Sequence, residues 1–455
     1  MEDVTRRGFI TALAAGAVTV PVTRVAGASE AVSAGSAQGG ETVADAASGE
    51  AEGKAKGAYL MSEDEAMARL LDEPVVEQDY VQADGTVVPA VYLMLRNRFN
   101  RMGIGMGSNI PGDGAWDWLM EQFSEDDAQH VLDMPLFEWF TAFDYAQKND
   151  ADPDESEAML ADLASRGLIG RAVRAGVAHY HVMTGMYGVY ETFATTMDTQ
   201  FNVDFLAKMW GADDSAGVDY GTPMYHSVPV NTDVVAEQEG ALPYDDWRAV
   251  IARNPTLAVA PCVCRTNKMQ LGRGDPCDHP IETCISCGEE AEYYIENGFG
   301  RQITQDEACE IIQNAVDQGM VVDHLYSKAA ESMCLCHSDC CMWLGSVRAA
   351  NGEGDVMAKI SNYDLVYDKD TCIRCGACIE RCPMQSVSFG DDGFCVMDKA
   401  CVHCGQCCTV CPVGARSLVA KAPEDRLDLP DDKVGDYLEK AKVRMAKGYI
   451  KDFVG

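Results

Sequence analysis

The chain has 455 residues, a formal net charge of −36 and 47% hydrophobic residues, which supply enough apolar sequence for the cores of roughly two to four domains. An acidic excess of this size excludes a basic nucleic-acid-binding face and is unfavourable at an anionic membrane surface. It suits a protein that docks on basic patches of a partner. Most of the 20 cysteines fall in spacings typical of metal sites, so their number says little about disulfide bonds.

The first 28 residues contain the parts of an export signal in order. Arg6 and Arg7 precede an apolar run over 9–22, which is too short for a comfortable membrane span, and a small-residue cleavage site follows at 26–28. The segment over 5–10 resembles a twin-arginine signal, which implies export of the folded protein by the twin-arginine translocase. We therefore expect an extracytoplasmic protein, in the periplasm or at the cell surface. The segment would anchor the chain to a membrane only if it stays uncleaved.

A linker and a mostly helical domain are predicted to follow. Residues 29–58 are rich in Ala, Gly, Ser and Glu and read as a flexible linker, and residues 59–255 form the helical domain. Its first helix begins at a capping box made by Ser62 and Glu65. The stretch over 87–95 suits either a strand or a buried helix.

The glycine-rich stretch over 103–112 contains G-x-G-x-G. It lacks the strand–turn–helix frame and the ribose-binding acid of a dinucleotide loop, so we do not predict nucleotide binding there.

A helix followed by a hairpin is predicted further along this domain. Apolar residues on one face over 154–163 indicate the helix, Gly167 ends it, and 177–183 alternates like a strand. This order resembles a winged-helix module. Because the acidic charge and the export signal both oppose DNA binding, we predict a scaffold or docking role and no nucleic-acid partner.

The region over 256–350 is rich in cysteine at both ends, with a helix capped at Thr304 between them. Crowded thiolates favour soft metals and iron–sulfur clusters over calcium or magnesium. Cys262 and Cys264 are too close in sequence to form an unstrained disulfide with each other, so they need distant partners or a metal. The sequence leaves three alternatives open for this region: a [4Fe–4S] cluster, a zinc ion, or a group of reduced or disulfide-paired cysteines.

Residues 361–421 contain two copies of C-x2-C-x2-C-x3-C-P, which is the bacterial run for a pair of [4Fe–4S] clusters. A disulfide framework or zinc would also use closely spaced cysteines, but the third cysteine and the C-x3-C-P ending favour a cubane. In two-cluster ferredoxins the fourth ligand comes from the other run. The predicted ligands are Cys372, Cys375, Cys378 and Cys411 for one cluster, and Cys401, Cys404, Cys407 and Cys382 for the other. Cys395 and Cys408 fall outside the pattern and are predicted to be packed thiols.

Two resemblances follow from these motifs. Residues 361–421 resemble the bacterial-type two-cluster ferredoxin domain. The longer range over 154–421 is similar to ferredoxin-domain proteins of anaerobes, in which a C-x-C-R segment and a cysteine-dense segment precede that domain. This second resemblance implies a winged-helix-like half over 160–191. It also implies metal-ligand roles for Cys262, Cys264, Cys277, Cys284, Cys334, Cys336, Cys340 and Cys341.

The chain is predicted to end in a helix within 429–455. Its apolar stripe consists of Val434, Leu438, Ala441 and Met445, and such a stripe usually docks on the same protein. Its basic residues, among them Lys440 and Arg444, are expected mostly elsewhere on the helix. The fold class predicted for the whole chain is α+β, with a helical, winged-helix-like N-terminal half, a cysteine-rich middle and a C-terminal two-cluster ferredoxin fold.

The predicted function is that of an exported iron–sulfur electron-transfer protein. It would relay single electrons through two, or three and more, [4Fe–4S] clusters to or from an extracytoplasmic oxidoreductase, and a molybdopterin or flavin enzyme is the analogy for that partner. No acid–base or nucleophile–base pair stands out, so we predict no catalytic residue and favour an electron-transfer protein or oxidoreductase subunit. One alternative is an iron–sulfur reductase with its active site in the middle cysteine region. The other is a winged-helix redox-sensing regulator, which would have to stay in the cytoplasm.

Overall fold

The computed structural model describes residues 59–102, 114–193, 223–235, 242–271, 277–352, 357, 359–450 and 452–453. The predicted export signal and linker, and the glycine-rich stretch over 103–112, lie outside the described residues. Helices and small antiparallel sheets alternate along the chain, and the predicted α+β class is confirmed.

Among the described residues up to Ser165, six helices and a short hairpin are present. The helices are α1 (Glu63–Leu71), α2 (Ala90–Arg101), α3 (Gly114–Gln122), α4 (Glu125–Asp133), α5 (Ala142–Asn149) and α6 (Pro153–Ser165). The stretch over 87–95, which suited a strand or a helix, contains part of each. Strand β2 (Val87–Val88) pairs with β1 (Tyr80–Val81), and Pro89 then begins α2 as its N-cap residue. Several of these helices begin at a residue whose side-chain hydroxyl accepts a backbone N–H. The capping box predicted at Ser62 and Glu65 is present.

The predicted helix and hairpin follow in order. Helix α6 ends at Gly167, whose φ of +76° and contact with Thr192 leave no room for a side chain. Strands β3 (Gly170–Arg174) and β4 (Val177–His181) pair antiparallel. A π-helical turn at Gly185–Val189 then leads into α7 (Tyr190–Phe193). The order of helix and hairpin is that expected from the sequence, and the winged-helix-like module stays a prediction.

A six-stranded antiparallel sheet forms the middle of the protein, with strand order β5-β9-β10-β7-β6-β8. Its strands are β5 (Tyr225–Val228), β6 (Leu257–Pro261), β7 (Glu282–Cys287), β8 (Arg301–Ile303), β9 (Val321–Leu325) and β10 (Ser332–Cys336). Its helices are α8 (Trp247–Arg253), α9 (Val263–Leu271), α10 (Glu289–Glu296), α11 (Gln305–Asp317) and α12 (Met342–Ala349). The hydroxyl of Thr304 caps α11 by accepting the amide N–H of Glu307 at 3.1 Å.

The region after the sheet contains two strand pairs and two similar cysteine loops. Strands β11 (Tyr363–Tyr367) and β14 (Arg416–Ala420) pair, as do β12 (Val387–Phe389) and β13 (Cys395–Met397). Short helices α13 (Ala377–Glu380) and α14 (Gln406–Thr409) each follow a left-handed glycine, Gly376 at φ +79° and Gly405 at φ +83°. Both loops thus enter their short helix through a glycine in the same left-handed conformation.

The last helix, α15 (Lys433–Ala446), packs against the N-terminal helices. Its predicted stripe is docked as expected, and two of the basic residues outside the stripe are buried as well. Lys440 and Arg444 are both fully buried, because the helix is covered on more than one side. Lys440 pairs with Asp436, and Arg444 donates to the carbonyl of Asn100 at 2.7 Å. No helix in the described part of the chain is long and apolar enough to cross a bilayer.

Candidate metal centres

The first cysteine run and one cysteine of the second surround a common cavity. It is lined by Cys372, Cys375, Cys378 and Cys411, together with Cys395 and Arg416. Cys375 is exposed, so this cavity lies at the protein surface. Four cysteine thiols around one cavity match the number of ligands that a cubane [4Fe–4S] cluster needs.

The second run lies deeper and has Cys382 beside it. Cys404 and Cys407 are buried. Burial, followed by the nearby thiols of Cys407, Cys382 and Cys401, raises the pKa of Cys404 well above its usual value. Burial, followed by the nearby thiols of Cys407 and Cys382, raises the pKa of Cys401 to about 12. Burial keeps these thiols protonated, and a bound iron cluster would supply the positive charge that lets them ionise.

Backbone amides donate to cysteine sulfurs at equivalent places in both runs. The N–H of Ser386 lies 3.4 Å from the Cys382 sulfur, and that of Ala415 lies 3.2 Å from the Cys411 sulfur. In each case the donor is four residues beyond the last cysteine of its run. Such N–H···S bonds stabilise thiolate charge and tune the potential of a cluster.

Arg416 on β14 lies between the two runs. It is 4% exposed, and both of its Nη atoms are buried without a hydrogen-bond acceptor of ordinary geometry. Burial lowers its pKa, but the nearby thiols of Cys407 and Cys378 outweigh that effect and raise it. Cys378 belongs to the first run and Cys407 to the second. These donors fit an anionic iron–sulfur cluster, because thiolate and sulfide sulfurs accept hydrogen bonds.

Cysteines outside the ferredoxin pattern pack close to it. Cys395, predicted to be a packed thiol, is buried with its sulfur 3.4 Å from that of Cys378. Cys408 lies next to Cys407 on α14. A hydrogen bond with Cys407, and then burial, raise the Cys408 pKa far above its usual value, so this thiol is neutral.

Six of the eight predicted middle cysteines form what we call the middle thiol group. It comprises Cys262, Cys264, Cys284, Cys334, Cys336 and Cys341. Hydrogen bonds between thiols connect Cys262 to Cys264, Cys264 to Cys341, and Cys341 to Cys336. The structure therefore brings the two cysteine-dense segments together.

Cys341 is the member of this group whose pKa is lowered. Hydrogen bonds from Cys264 and then Cys336 lower its pKa to about 6, against the effect of burial. Its sulfur also accepts the Leu344 N–H at 3.5 Å, at the start of α12. A thiolate at a helix N-terminus is a ready metal ligand.

The other two middle cysteines lie in a separate group around Asp339. Ligand atoms of Cys277, Cys340 and Asp339 lie within 4.8 Å of one another, and so do those of His279, His337 and Asp339. The sequence interpretation missed Asp339 and both histidines, although His337 and Asp339 stand between Cys336 and Cys340 in the chain. We call these five residues the Asp339 group.

Direct contacts join the middle region to the ferredoxin region. The carbonyl of Pro383, next to Cys382, accepts hydrogen bonds from the Ser338 N–H at 3.2 Å and from its hydroxyl at 2.6 Å. Gln406 on α14 donates to the carbonyls of Val316 and Met320 at 2.9 and 2.7 Å. One hydrophobic core contains residues from both regions, including cysteines of each.

A family model described as the 4Fe-4S binding domain matches residues 365–387, which include the whole first run. This match identifies the C-terminal region as one suited to binding a [4Fe–4S] cluster and to iron–sulfur electron transfer. No curated protein and no solved structure matches the chain.

Proposed function

We propose that this protein is exported and relays single electrons through two [4Fe–4S] clusters to or from an extracytoplasmic oxidoreductase. The observation that carries the proposal is the repeated geometry of the two runs. Each run has a left-handed glycine before its short helix, and an amide donates to the sulfur of its last cysteine. The proximity of Cys382 to the second run supports exchange of the fourth ligands.

The chain's own residues have four roles in such a relay. The eight ferredoxin cysteines hold the clusters, and backbone amides stabilise their negative charge. The hydrophobic core around Cys404 excludes water from the deeper site. The exposed Cys375 places the shallower site where a partner can approach. Electrons would thus enter or leave by the first-run site.

A third centre in the middle thiol group would extend the relay. The contact between Ser338 and Pro383 brings this part of the chain next to Cys382, a ligand of the deeper site. The group is held in a rigid sheet and a shared core, which suits a fixed relay centre. A [4Fe–4S] cluster is the occupant that serves this function.

The partner is proposed to be an extracytoplasmic oxidoreductase of the molybdopterin or flavin kind. The net charge of −36 suits docking on a basic surface of that partner. Export by the twin-arginine translocase is part of the proposal, because that route carries folded proteins with their clusters already loaded.

The test is anaerobic purification of the full chain with iron and sulfide counting and electron paramagnetic resonance. Two clusters correspond to about eight irons per chain, and a third cluster raises the count to about twelve. On reduction, the two ferredoxin-type spins are expected to couple magnetically. About four irons, or an uncoupled spectrum from a fully reduced sample, would contradict the two-cluster relay.

A further inference from the structure

The Asp339 group has the dimensions of a site for one metal ion. The sulfurs of Cys277 and Cys340 lie 3.2 Å apart, and an Asp339 oxygen lies within 4.8 Å of both. Ligand atoms about 2.0–2.3 Å from one tetrahedral ion stand roughly 3.3–3.8 Å from one another. In a cubane each thiolate binds a different iron, so the sulfurs lie further apart. Among the described residues, no three ferredoxin cysteines are gathered this closely.

The donors of this group favour a borderline-soft ion. Two sulfurs, a carboxylate and imidazole nitrogens are the ligands that proteins use for zinc, whereas calcium and magnesium take oxygen ligands. His337 Nδ1 lies 3.0 Å from the Asp339 carboxylate, and the His337 and His279 rings are 4.8 Å apart. Both histidines lie within 4.8 Å of Asp339, in a set that does not include the two sulfurs, so a histidine would have to turn toward the ion to become its fourth ligand.

The charge around the group also fits a divalent ion. Two thiolates and one carboxylate around Zn²⁺ leave a single negative charge. Buried Arg265 offsets it, donating from Nε to the Cys340 sulfur at 3.4 Å. Its other donors are held by the carbonyls of Pro280 and Leu335 and by the Thr283 hydroxyl. Such a fixed partner orients a metal ligand.

We propose that Cys277, Cys340 and Asp339 form a mononuclear zinc site separate from the iron–sulfur centres, with its fourth position open to a reoriented His337 or His279 side chain. The ion ties the segment before β7 to the turn before α12. That turn carries Cys341, so the site holds a member of the middle thiol group in place. The inference does not depend on the proposed electron-transfer function.

The test measures zinc and iron in the full-length protein after incubation with Zn²⁺ and dialysis against a weak chelator. We expect about one tightly held zinc per chain. Asp339→Asn and Cys277→Ser should each lose it without loss of iron. The matched controls are Asp278→Asn, which changes the exposed carboxylate next to Cys277, and Cys309→Ser on α11. Both controls should keep the zinc.

Co²⁺ provides a second measurement on the unaltered protein, which avoids variants that fail to fold. Co²⁺ added to zinc-stripped protein should produce thiolate-to-cobalt charge-transfer absorption and the visible bands of tetrahedral cobalt. The Cys277→Ser variant should lose part of the charge-transfer intensity. Three outcomes would overturn the proposal: no tightly held zinc, zinc retained in Asp339→Asn and Cys277→Ser alike, or loss of about four irons from Cys277→Ser.

Discussion

Cys334 lies directly opposite Cys284 on the neighbouring antiparallel strand, at the centre of the six-stranded sheet. The two residues are fifty positions apart in the chain, and only the pairing of β10 with β7 brings them together. Burial and then the nearby Cys334 raise the pKa of the Cys284 thiol well above its usual value. A metal that binds several of these thiols would remove the cost of placing sulfurs side by side.

The first prediction concerns a third cluster at this place. Cys264→Ser and Cys341→Ser should each lower the iron content of the full chain by about four atoms, because both sulfurs belong to the middle thiol group. Cys287→Ser, at a buried cysteine of the same sheet outside that group, should keep full iron. Iron and sulfide counting checks this. If Cys264→Ser and Cys341→Ser keep as much iron as the parent protein, the middle thiol group does not hold a third cluster.

The second prediction tests the exchange of fourth ligands with paired substitutions. If Cys382 belongs with the second run, Cys382→Ser combined with Cys404→Ser removes one cluster, or about four irons. Cys382→Ser combined with Cys375→Ser removes both clusters, or about eight irons. Iron counts on the two double variants, beside the single variants, check this. The reverse result would place Cys382 with the first run.

Local sequence patterns predicted much of the fold. A capping box needs only Ser62 and Glu65 at the right spacing, and it is present. The two cysteine runs are equally local, since each thiol is held by a tight turn within its own segment. The helix-then-hairpin order after α6 also follows from periodicity and a turn glycine.

The division of the middle cysteines could not be predicted in this way. Cys340 and Cys341 are adjacent in sequence, yet Cys341 joins the middle thiol group and Cys340 lies against Cys277. That outcome depends on sheet register and on the turn before α12, which are tertiary features. The burial of Lys440 was also missed, because the apolar stripe reports one helix face and says nothing of what covers the others.

The third prediction tests the export signal. Changing Arg6 and Arg7 together to Lys should leave the protein in the cytoplasm with its N-terminus uncut, because the twin-arginine translocase discriminates against lysine in this pair. Arg24→Lys, beyond the apolar run, makes the same chemical change outside the pair and should be exported normally. Cell fractionation with N-terminal sequencing checks both. Normal export of the double variant would exclude this route.

The fourth prediction concerns Arg416, whose buried guanidinium lies near one cysteine of each run. A fixed positive charge favours the reduced cluster, because reduction adds negative charge. Two unit charges about 8 Å apart at an effective dielectric constant of about 20 interact by about 2 kcal/mol, equivalent to a one-electron potential shift on the order of 90 mV. Arg416→Gln should therefore lower both cluster potentials by roughly 50 to 100 mV.

Redox titration followed by electron paramagnetic resonance measures these potentials. Arg416→Lys keeps the positive charge, so its potentials should lie close to those of the parent protein. Arg301→Gln is the matched control, because Arg301 on β8 is exposed, pairs with Glu282 and Glu307 and is screened by water. Its potentials should stay close to those of the parent protein. If Arg416→Gln retains full iron and unchanged potentials, the buried guanidinium does not act on the clusters.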